Sequence, residues 1–506
     1  MERGGLDLLL SQLRKVLLKC QTVDFEDVQI QSVTSDSRTV SPGALFIALP
    51  GYTVDGHAFA AQAVEKGAVA LLVERALPIR VPQLIVPDSR LASALVADVF
   101  YGHPSHHLRM IGVTGTNGKT TTTYLIEKLL NDAGFQTGLL GTIEKRIAGK
   151  ATEVVNTTPE AVELQASLHE MLEAGCQYGI MEVSSHALEL RRVAGTVYRV
   201  AVFTNLTQDH LDFHGTMENY LAAKGKLFSR LGNGYGDDVK SCSFAILNAD
   251  DSAVDYLASQ TVHECVTYGI ENEADVRAWN VVVRPEGVQF HLQTFAGEAD
   301  VRLQLTGRFN VYNALAAISV GLVEGLTLEV MVESLAKVPG VPGRLEKVQS
   351  DQPFTVLVDY SHTPDSLLNA LSTIQEFKVG KVITVVGCGG DRDRAKRPLM
   401  AKVAVDLSDL TVLTSDNPRT EDPERILDDM EQGVAGIEFP PGHRYERITD
   451  RETAIIRAIS LAGENDVILI AGKGHETYQI IGRTKHHFDD REVAAKAIQQ
   501  LRSKRD

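Results

Sequence analysis

The segment that decides the fold is Met110-Ile111-Gly112-Val113-Thr114-Gly115-Thr116-Asn117-Gly118-Lys119-Thr120-Thr121. A β-branched strand runs into a glycine-rich turn that ends in Gly-Lys-Thr, and a helix pattern follows with Ile126, Leu129, Leu130 and Ala133 on one face. Glycines let backbone N–H groups close around phosphate oxygens, and a helix N-terminus adds the positive end of its dipole. Lys119 supplies a mobile positive charge, and the Thr120 hydroxyl can bind Mg²⁺. The segment therefore predicts a phosphate-binding loop.

The loop departs from the strict pattern GxxxxGK[ST], because Val113 stands where the first glycine is required. An ordinary glycine-rich turn between strand and helix is the alternative interpretation. A dinucleotide fingerprint G-x-G-x-x-G is absent here, and it is absent from Gly387-Cys388-Gly389-Gly390, where Arg392 occupies the third glycine position.

Outward from this loop, short apolar runs alternate with helical patterns, which is typical of βαβ units with buried parallel strands. Gly/Pro-rich stretches at 102–107 and 339–343 divide the chain into three predicted domains, 1–106, 107–338 and 339–506. We expect an α/β protein with a small N-terminal α/β domain, a central P-loop-type parallel sheet covered by helices on both faces, and a C-terminal Rossmann-like domain. The predicted strands are Ala44–Leu49 and Ala68–Val73, then Met110–Val113, Ile180–Val183, Val200–Phe203 and Phe244–Leu247, then Thr355–Val358, Val382–Val386, Leu410–Leu413 and Val467–Ile470.

Composition narrows the function classes. The 506 residues are 44% hydrophobic and 23% charged, as in globular proteins, and the formal net charge is −16. Such a charge argues against nucleic acid or an anionic membrane as partner. No apolar run approaches 18 residues, and the N-terminus lacks a signal-peptide pattern. Five cysteines without a CxxC pair predict free thiols in a reducing compartment, so we expect a cytoplasmic protein.

Acidic and histidine residues follow two strands of the middle segment. Glu182 ends one strand, where a carboxylate facing the phosphate loop can hold Mg²⁺ or can cap a helix. Asp209 and His210 follow the next strand, and shared metal binding is about as plausible there as a structural role. Lys224 reads from the sequence alone as a solvated helix lysine.

These motifs together resemble the Mur ligase family of ATP-dependent amide-bond ligases. The resemblance covers essentially the whole chain. It is carried by Asp36-Ser37-Arg38, Gly115-Thr116-Asn117-Gly118-Lys119-Thr120, Glu182-Val183-Ser184-Ser185-His186, Asn205-Leu206-Thr207-Gln208-Asp209-His210-Leu211-Asp212, Gly307-Arg308-Phe309-Asn310-Val311-Tyr312-Asn313 and Gly343-Arg344. The missing glycine of the loop is a family trait. Ser361 departs from the alanine usual in the family, and we expect little effect.

The resemblance implies a reaction and its reactants. A carboxylate of a nucleotide-sugar peptide would attack the γ-phosphate of ATP, and an amino acid would then attack the acyl phosphate. The chain is most similar to members that add meso-2,6-diaminopimelate to the D-glutamate of UDP-N-acetylmuramoyl-L-alanyl-D-glutamate in peptidoglycan precursor synthesis. The expected partners are therefore ATP, with Mg²⁺ as cofactor, and these two small molecules. We expect the enzyme to be a monomer.

The resemblance also implies site residues. Lys119, Glu182, His210 and Lys224 would be catalytic, with Thr120, Glu182, His210 and carbamylated Lys224 (N6-carboxylysine) as Mg²⁺ ligands. ATP would be bound by Gly115, Thr116, Asn117, Gly118, Lys119, Thr120, Thr121, Asn310, Asn313, Arg344, Asp359 and His362. The nucleotide-sugar peptide would be bound by Ser35, Ser37, Asn156, Thr157, Thr158, Ser184 and Arg192. Diaminopimelate would be bound by Arg392, Asp416, Asn417, Pro418, Arg419, Gly472 and Glu476.

Three alternatives stay open at this point. A folate polyglutamate ligase shares the phosphate loop but lacks Asp36-Ser37-Arg38 and the motif Asp416-Asn417-Pro418-Arg419. A P-loop NTPase that drives a partner protein would release phosphate without an amino acid. A ligase-like binding subunit without catalysis is disfavoured by the intact set Lys119, Glu182 and His210.

Overall fold

The computed structural model describes residues 7–51, 54–348, 352–438 and 444–502. The N-terminal part forms a five-stranded sheet in the order β2-β7-β6-β5-β4, with a small β1–β3 pair beside it. Its elements are β1 (Leu8–Leu9), α1 (Leu10–Arg14), β2 (Gln21–Val23), β3 (Gln29–Ile30), β4 (Ser32–Thr34), β5 (Ala44–Ile47), α2 (Ala60–Glu65), β6 (Ala68–Val73), β7 (Gln83–Ile85) and α3 (Ser89–Phe100).

The middle part forms an eleven-stranded sheet in the order β11-β10-β9-β12-β8-β13-β14-β15-β16-β17-β18. Its strands are β8 (Arg109–Thr114), β9 (Thr137–Leu140), β10 (Lys145–Ile147), β11 (Lys150–Thr152), β12 (Tyr178–Glu182), β13 (Val200–Phe203), β14 (Phe244–Asn248), β15 (Cys265–Gly269), β16 (Val276–Arg284), β17 (Gly287–Thr294) and β18 (Gly297–Leu303). Its helices are α4 (Lys119–Asp132), α5 (Ala161–Glu173), α6 (Ser185–Glu189), α7 (Leu211–His214), α8 (Met217–Phe228), α9 (Val254–Ala258), α10 (Arg308–Val323) and α11 (Leu328–Ala336).

The last part forms a six-stranded sheet in the order β19-β20-β24-β21-β22-β23, in which only the short β19 runs antiparallel to its neighbour. Its strands are β19 (Glu346–Lys347), β20 (Thr355–Asp359), β21 (Val382–Cys388), β22 (Leu410–Ser415), β23 (Arg444–Arg447) and β24 (Val467–Ala471), and a separate hairpin joins β25 (Tyr478–Ile481) and β26 (Thr484–His487). Its helices are α12 (Pro364–Phe377), α13 (Lys396–Asp406), α14 (Pro423–Glu431), α15 (Arg451–Leu461) and α16 (Asp490–Arg502).

The predicted α/β class is confirmed, with one correction in the central sheet. Only the run β9-β12-β8-β13-β14-β15-β16 is parallel; β10, β11, β17 and β18 extend it with antiparallel pairs. β17 and β18 were not predicted because they alternate polar and apolar residues, as half-exposed antiparallel strands do. The domain boundaries at 107 and 338 stay predictions.

The register of the parallel strands determines where the site lies. Glu182 pairs with Val113, and Phe203 pairs with Thr114, so β12, β8 and β13 end at one edge of the central sheet. In the last sheet Asp359 pairs with Ala471, and Cys388 pairs with Ser415. Loops at the carboxyl ends of parallel strands carry the ligand sites of such folds. No helix in the described part of the chain is long and apolar enough to cross a membrane.

Candidate active site

The phosphate loop depends on two glycines with positive φ. Gly115 has φ +147°, and a side chain there would collide with the Thr204 hydroxyl. Gly118 has φ +85°, directly before α4, and a side chain there would collide with the Asn313 amide oxygen. Both positions therefore exclude other residues by backbone conformation and by lack of space.

The segment that follows β13 holds this loop in place. The backbone N–H of Thr116 donates to the Asn205 carbonyl at 2.8 Å, and the N–H of Asn117 donates to Asn205 Oδ1 at 2.9 Å. Thr204 Oγ1 donates to the Asn117 carbonyl at 2.6 Å, and Thr207 N donates to Thr116 Oγ1 at 3.0 Å. The family motif that contains Asn205 thus shapes the loop as well as carrying Asp209 and His210.

Lys119 lies across the loop. Its ammonium group donates to the carbonyl oxygens of Thr116 at 2.8 Å and Gly115 at 3.0 Å. Burial lowers the pKa of Lys119, although the nearby carboxylates of Glu182 and Asp209 oppose that shift. The charge is therefore held beside the loop by backbone dipoles and two neighbouring anions.

Glu182 is fully buried at the end of β12. Its two oxygens accept hydrogen bonds from Thr142, one from the backbone N–H at 2.8 Å and one from the hydroxyl at 2.9 Å. A side chain at Gly141 would come within 2.7 Å of Glu182 Oε1. A carboxylate oxygen has two lone pairs, so each keeps an acceptor site beyond its bond to Thr142.

The prediction that Lys224 is a solvated helix lysine is wrong. It is 1% exposed, its ammonium group donates to the Gly115 carbonyl at 2.8 Å, and its nitrogen lies 4.3 Å from the centre of the Tyr220 ring. Burial, reinforced by the charge of Lys119, lowers the pKa of Lys224 well below the usual range. Helix α8 therefore carries a lysine directly beneath the phosphate loop.

His210 adopts a left-handed backbone conformation with φ +54°. Its ring lies 4.7 Å from the His186 ring, and its Nε2 is 3.4 Å from Asp209 Oδ2. Partial burial lowers the pKa of His210 to about 4, although Asp209 opposes the shift and the side chain stays 42% exposed. The imidazole is therefore neutral near pH 7, and a neutral imidazole can ligate a metal.

Two side chains from the part of the chain that forms the six-stranded sheet reach the phosphate loop. Arg344 Nη2 donates to the Thr120 hydroxyl at 3.0 Å, and its guanidinium carbon lies 5.0 Å from the Tyr360 ring centre. Asp365, in the first turn of α12, accepts from Asn117 Nδ2 at 2.6 Å and from Thr207 Oγ1 at 2.8 Å. These contacts join the two parts of the chain across the site.

We expect Asp365→Ala to loosen this arrangement. Hydrogen bonds to a charged group contribute about 1.5–3 kcal/mol, so losing them should shift the balance toward separated domains by about 10-fold or more. Small-angle scattering should give a larger radius of gyration for the variant, and ATP with acceptor should make the unmodified enzyme more compact. Asp393→Ala is the matched control, since Asp393 lines the same cavity but accepts from Ala395 N in its own loop. Equal profiles for both variants would contradict this role.

The remaining predicted nucleotide residues fall into two groups. Asn310 and Asn313 lie buried in α10 behind the loop, where Asn313 Nδ2 donates to Asn310 Oδ1 at 3.0 Å. Asp359 ends β20 and accepts from Leu345 N at 2.7 Å, and burial raises its pKa. His362 is exposed at the cavity, and its Nδ1 donates to the Tyr360 carbonyl at 2.9 Å.

A cavity of about 1010 Å³ lies between these two parts of the chain. On one side it is lined by Asp209 and His210, and on the other by the carboxyl ends of the last sheet. Of the predicted diaminopimelate residues it contains Arg392, Asp416, Asn417, Arg419, Gly472 and Glu476. Pro418 is the one of that set outside the lining.

Arg419 contacts the neighbouring loop through a backbone carbonyl. Its Nη1 donates to the Gly390 carbonyl at 2.8 Å, and within the described residues it forms no ion pair with a carboxylate. Glu421 pairs with Arg397 instead, and Glu424 pairs with Arg447. Arg392 lies close enough that the charge of Arg419 helps to lower its pKa, after burial. Among the residues that the structure describes, both arginines contact backbone carbonyls and neither pairs with a carboxylate, which favours an anionic ligand.

The floor beside these arginines is a buried polar network. Lys473, fully buried, donates to Glu476 Oε2 at 3.0 Å and to Asn417 Oδ1 at 3.1 Å. Asn417 Nδ2 also donates to Glu476 Oε2, at 2.9 Å. A side chain at Gly472 would come within 2.6 Å of Asp416 Oδ2. Asp416 and Glu476 are thus placed as acceptors near the cavity.

The predicted acceptor residues of the middle part form a connected set. Thr158 Oγ1 donates to the Glu182 carbonyl at 2.8 Å and to Ser184 Oγ at 3.3 Å, and Arg192 Nη1 donates to the Thr158 carbonyl at 3.0 Å. Arg192 is also paired with Glu160 at 2.8 Å. Asn156 and Thr157 line a neighbouring cavity of about 190 Å³. Ser35 and Ser37 follow β4 and line neither cavity.

Several residues that shape this site were not among the predicted ones. Thr142 fixes Glu182, Asp365 ties α12 to the phosphate loop, and Lys473 orders the amino-acid side. An acidic residue directly after Thr363-Pro364 was a sign of a helix N-terminus near Asp365. No local signal shows that this helix faces the phosphate loop.

Comparison with known proteins agrees with this geometry. The family model described as Mur ligase middle domain matches residues 113–321, the Mur ligase, glutamate ligase domain matches 343–474, and the Mur ligase family, catalytic domain matches 29–110. The UDP-N-acetylmuramoyl-L-alanyl-D-glutamate–2,6-diaminopimelate ligase of Geobacillus thermodenitrificans is 53% identical over 473 residues, covering 94% of this chain and 96% of that protein. The protein of the same name from Bacillus cereus is 50% identical over 473 residues, covering 94% and 95%.

A solved structure agrees as well. The "Structure of UDP-N-acetylmuramoyl-L-alanyl-D-glutamate--2, 6-diaminopimelate ligase" superposes with a TM-score of 0.68 at 34% identity, covering 98% of this chain and 100% of that one. The fold and the phosphate site are those of an ATP-dependent ligase that forms amide bonds. The chain belongs to the Mur ligase family.

Proposed function

We propose that this enzyme joins meso-2,6-diaminopimelate to the D-glutamate side-chain carboxylate of UDP-N-acetylmuramoyl-L-alanyl-D-glutamate, with ATP converted to ADP and phosphate. The observation that carries the proposal is the Arg419–Arg392 pair, which lies in one cavity with the residues of the phosphate side. The similarity to relatives with that printed name supports it.

The first step brings two anions together. The acceptor carboxylate attacks the γ-phosphorus, the bond to the ADP oxygen breaks, and an acyl phosphate forms. Lys119 lowers the repulsion between the reactants because its charge lies at the loop that would hold the terminal phosphates. Arg344 adds a second positive charge beside Thr120.

The donor set near the loop fits Mg²⁺. The Thr120 hydroxyl and the Glu182 carboxylate are hard oxygen donors, and His210 is a neutral imidazole. We propose Thr120, Glu182 and His210 as the residues that hold Mg²⁺, together with a carbamate on Lys224. The bound cation would neutralise charge on the transferring phosphoryl group.

The second step needs a positioned amine. Arg419 and Arg392 are suited to bind the carboxylate on the far carbon of diaminopimelate, because a guanidinium pairs with a carboxylate through two parallel hydrogen bonds. Asp416 and Glu476 are suited to accept from an ammonium group of the same substrate. The free amine then attacks the acyl carbonyl carbon, and phosphate leaves.

Lys224 is proposed to react with CO₂ to form the carbamate. The reaction needs a neutral amine, and burial lowers the pKa of Lys224, so this amine is neutral at a lower pH than a surface lysine. Enzyme equilibrated with ¹³CO₂ should show a carbamate NMR signal that is absent from Lys224→Ala and kept in Lys226→Ala, whose lysine pairs with Glu189 on the surface. Removal of CO₂ should lower activity reversibly. A bare ammonium on Lys224 in the active, Mg²⁺-bound enzyme would refute the carbamate.

The proposal takes the enzyme to work on small molecules as a cytoplasmic monomer. All five cysteines are free thiols, as expected in a reducing compartment.

An isotope experiment tests the proposed chemistry. If the acceptor carboxylate is labelled with ¹⁸O, one labelled oxygen should appear in the released phosphate, because that oxygen bridges carbon and phosphorus in the acyl phosphate. Phosphate without label would exclude the acyl phosphate route. Phosphate that carries no label would also favour an NTPase that hydrolyses ATP with water.

A further inference from the structure

A cluster of possible metal ligands shares no residue with the site of the proposed reaction. Asp98 is in the last turn of α3, and His103 and His106 are in the segment that leads into β8. One ligand atom from each of the three lies within 4.8 Å of the other two. His103 Nδ1 and Asp98 Oδ2 are 2.7 Å apart, and the two histidine rings are 5.4 Å apart between centres.

Asp98 is a buried carboxylate in a position that disfavours a negative charge. It is 8% exposed, and its Oδ1 has no hydrogen-bond partner among the described residues. It also lies near the C-terminus of α3, where the helix dipole disfavours a negative charge. The oxygen without a partner belongs to a carboxylate beside two exposed imidazoles, and a cation bound there would satisfy it.

The backbone around the cluster is held in a defined shape. His103 has φ +55°, its N–H donates to the Asp98 carbonyl at 2.8 Å, and His106 N donates to the His103 carbonyl at 3.0 Å. Ser105 between them accepts from Val197 N at 3.1 Å, which ties this segment to the middle part of the chain. The three ligands therefore lie where the N-terminal part of the chain meets the middle part, which carries the phosphate loop.

We propose that Asp98, His103 and His106 form a binding site for a divalent transition-metal ion of the Zn²⁺ type. Two imidazoles and one carboxylate suit Zn²⁺ and Co²⁺, whereas Mg²⁺ prefers oxygen ligands. Three protein ligands with water in the fourth position is a common zinc arrangement. The ion replaces the direct His103–Asp98 hydrogen bond and links α3 to the segment before β8, so it stiffens the connection between the first two parts of the chain.

Metal binding to the full-length enzyme tests the proposal. Zn²⁺ is titrated by calorimetry in excess Mg²⁺, and Co²⁺ is used as a spectroscopic probe whose visible absorption reports tetrahedral nitrogen and oxygen ligands. We expect His106→Asn to weaken this binding event by at least about 10-fold, since changes even in the outer shell of a metal site cost 10–100-fold. His107→Asn is the matched control, because His107 is the next residue and lies outside the cluster.

A second variant separates ligation from folding. Asp98→Asn keeps the shape of the side chain but removes its charge, and it should also weaken Zn²⁺ binding while circular dichroism shows an unchanged fold. Zn²⁺ should raise the Tm of the unmodified enzyme and of His107→Asn, but much less that of His106→Asn and Asp98→Asn. Zn²⁺ affinity, stoichiometry and Tm shifts that are the same in all four proteins would overturn the site. They would leave the proposed ligase reaction untouched, since none of these residues takes part in it.

Discussion

Replacing Lys119 with alanine is expected to lower kcat by about 10²–10³-fold, the cost of losing one preorganised electrostatic group. In the structure the ammonium group lies against the Gly115 and Thr116 carbonyls, where it is held for the terminal phosphates of ATP. Without this charge, the attacking carboxylate is repelled more strongly by the phosphate oxygens, although Arg344 stays beside Thr120. Steady-state phosphate release under saturating substrates measures the effect.

The matched control for this prediction is Lys128→Ala. Lys128 lies on the same helix, α4, but its charge is paired with Asp132 on the surface at 2.6 Å. It should keep near-normal kcat, and both variants should keep the circular dichroism spectrum of the unmodified enzyme. Near-normal turnover in Lys119→Ala would refute the phosphate-loop assignment.

Arg419→Ala should lower kcat/KM for meso-diaminopimelate. The expected loss of transition-state stabilisation is about 2–5 kcal/mol, as for the loss of one side of a buried charge pair. Meso-diaminopimelate carries one carboxylate more than L-lysine, and Arg419 is an arginine of the cavity without a carboxylate partner in the described structure. The loss with L-lysine as the tested amine should be much smaller. The ratio of the two kcat/KM values is therefore the informative quantity.

That ratio also separates recognition from structure. Arg419 donates to the Gly390 carbonyl, so its removal could disturb the loop and reduce both rates alike. Arg394→Ala serves as control, because Arg394 lies on the neighbouring loop, pairs with Asp429 and does not line the cavity. Equal losses with both amino acids in Arg419→Ala would assign Arg419 a purely structural role.

The parallel strands were predictable from the sequence because each is a short run dominated by apolar and β-branched residues. Val200–Phe203 and Ala68–Val73 have the bounds that the sequence predicted. The antiparallel extension was not predictable in the same way. β16 is buried only at Val276 and Ala278, and its irregular register with β17 after Trp279 interrupts the periodic signal.

The residues of the site also divide into those with a local sequence signal and those without one. Glycines 115 and 118 and Lys119 could be assigned from local chemistry, because the loop carries its own signal. Lys224 could not, since its burial beneath the loop comes from the packing of α8 and not from any pattern on that helix. Asp365 was missed for a related reason: its contacts with Asn117 and Thr207 exist only once two separate sheets are assembled.

The most direct test of the central claim is phosphate release by the unmodified enzyme, measured with ATP, Mg²⁺ and UDP-N-acetylmuramoyl-L-alanyl-D-glutamate while the amino acid is varied. The proposed function predicts sustained release only when meso-diaminopimelate is present, with one phosphate for each amide formed and a much lower kcat/KM for L-lysine. Release at the same rate without any amino acid, or equal kcat/KM for the two amino acids, would contradict it.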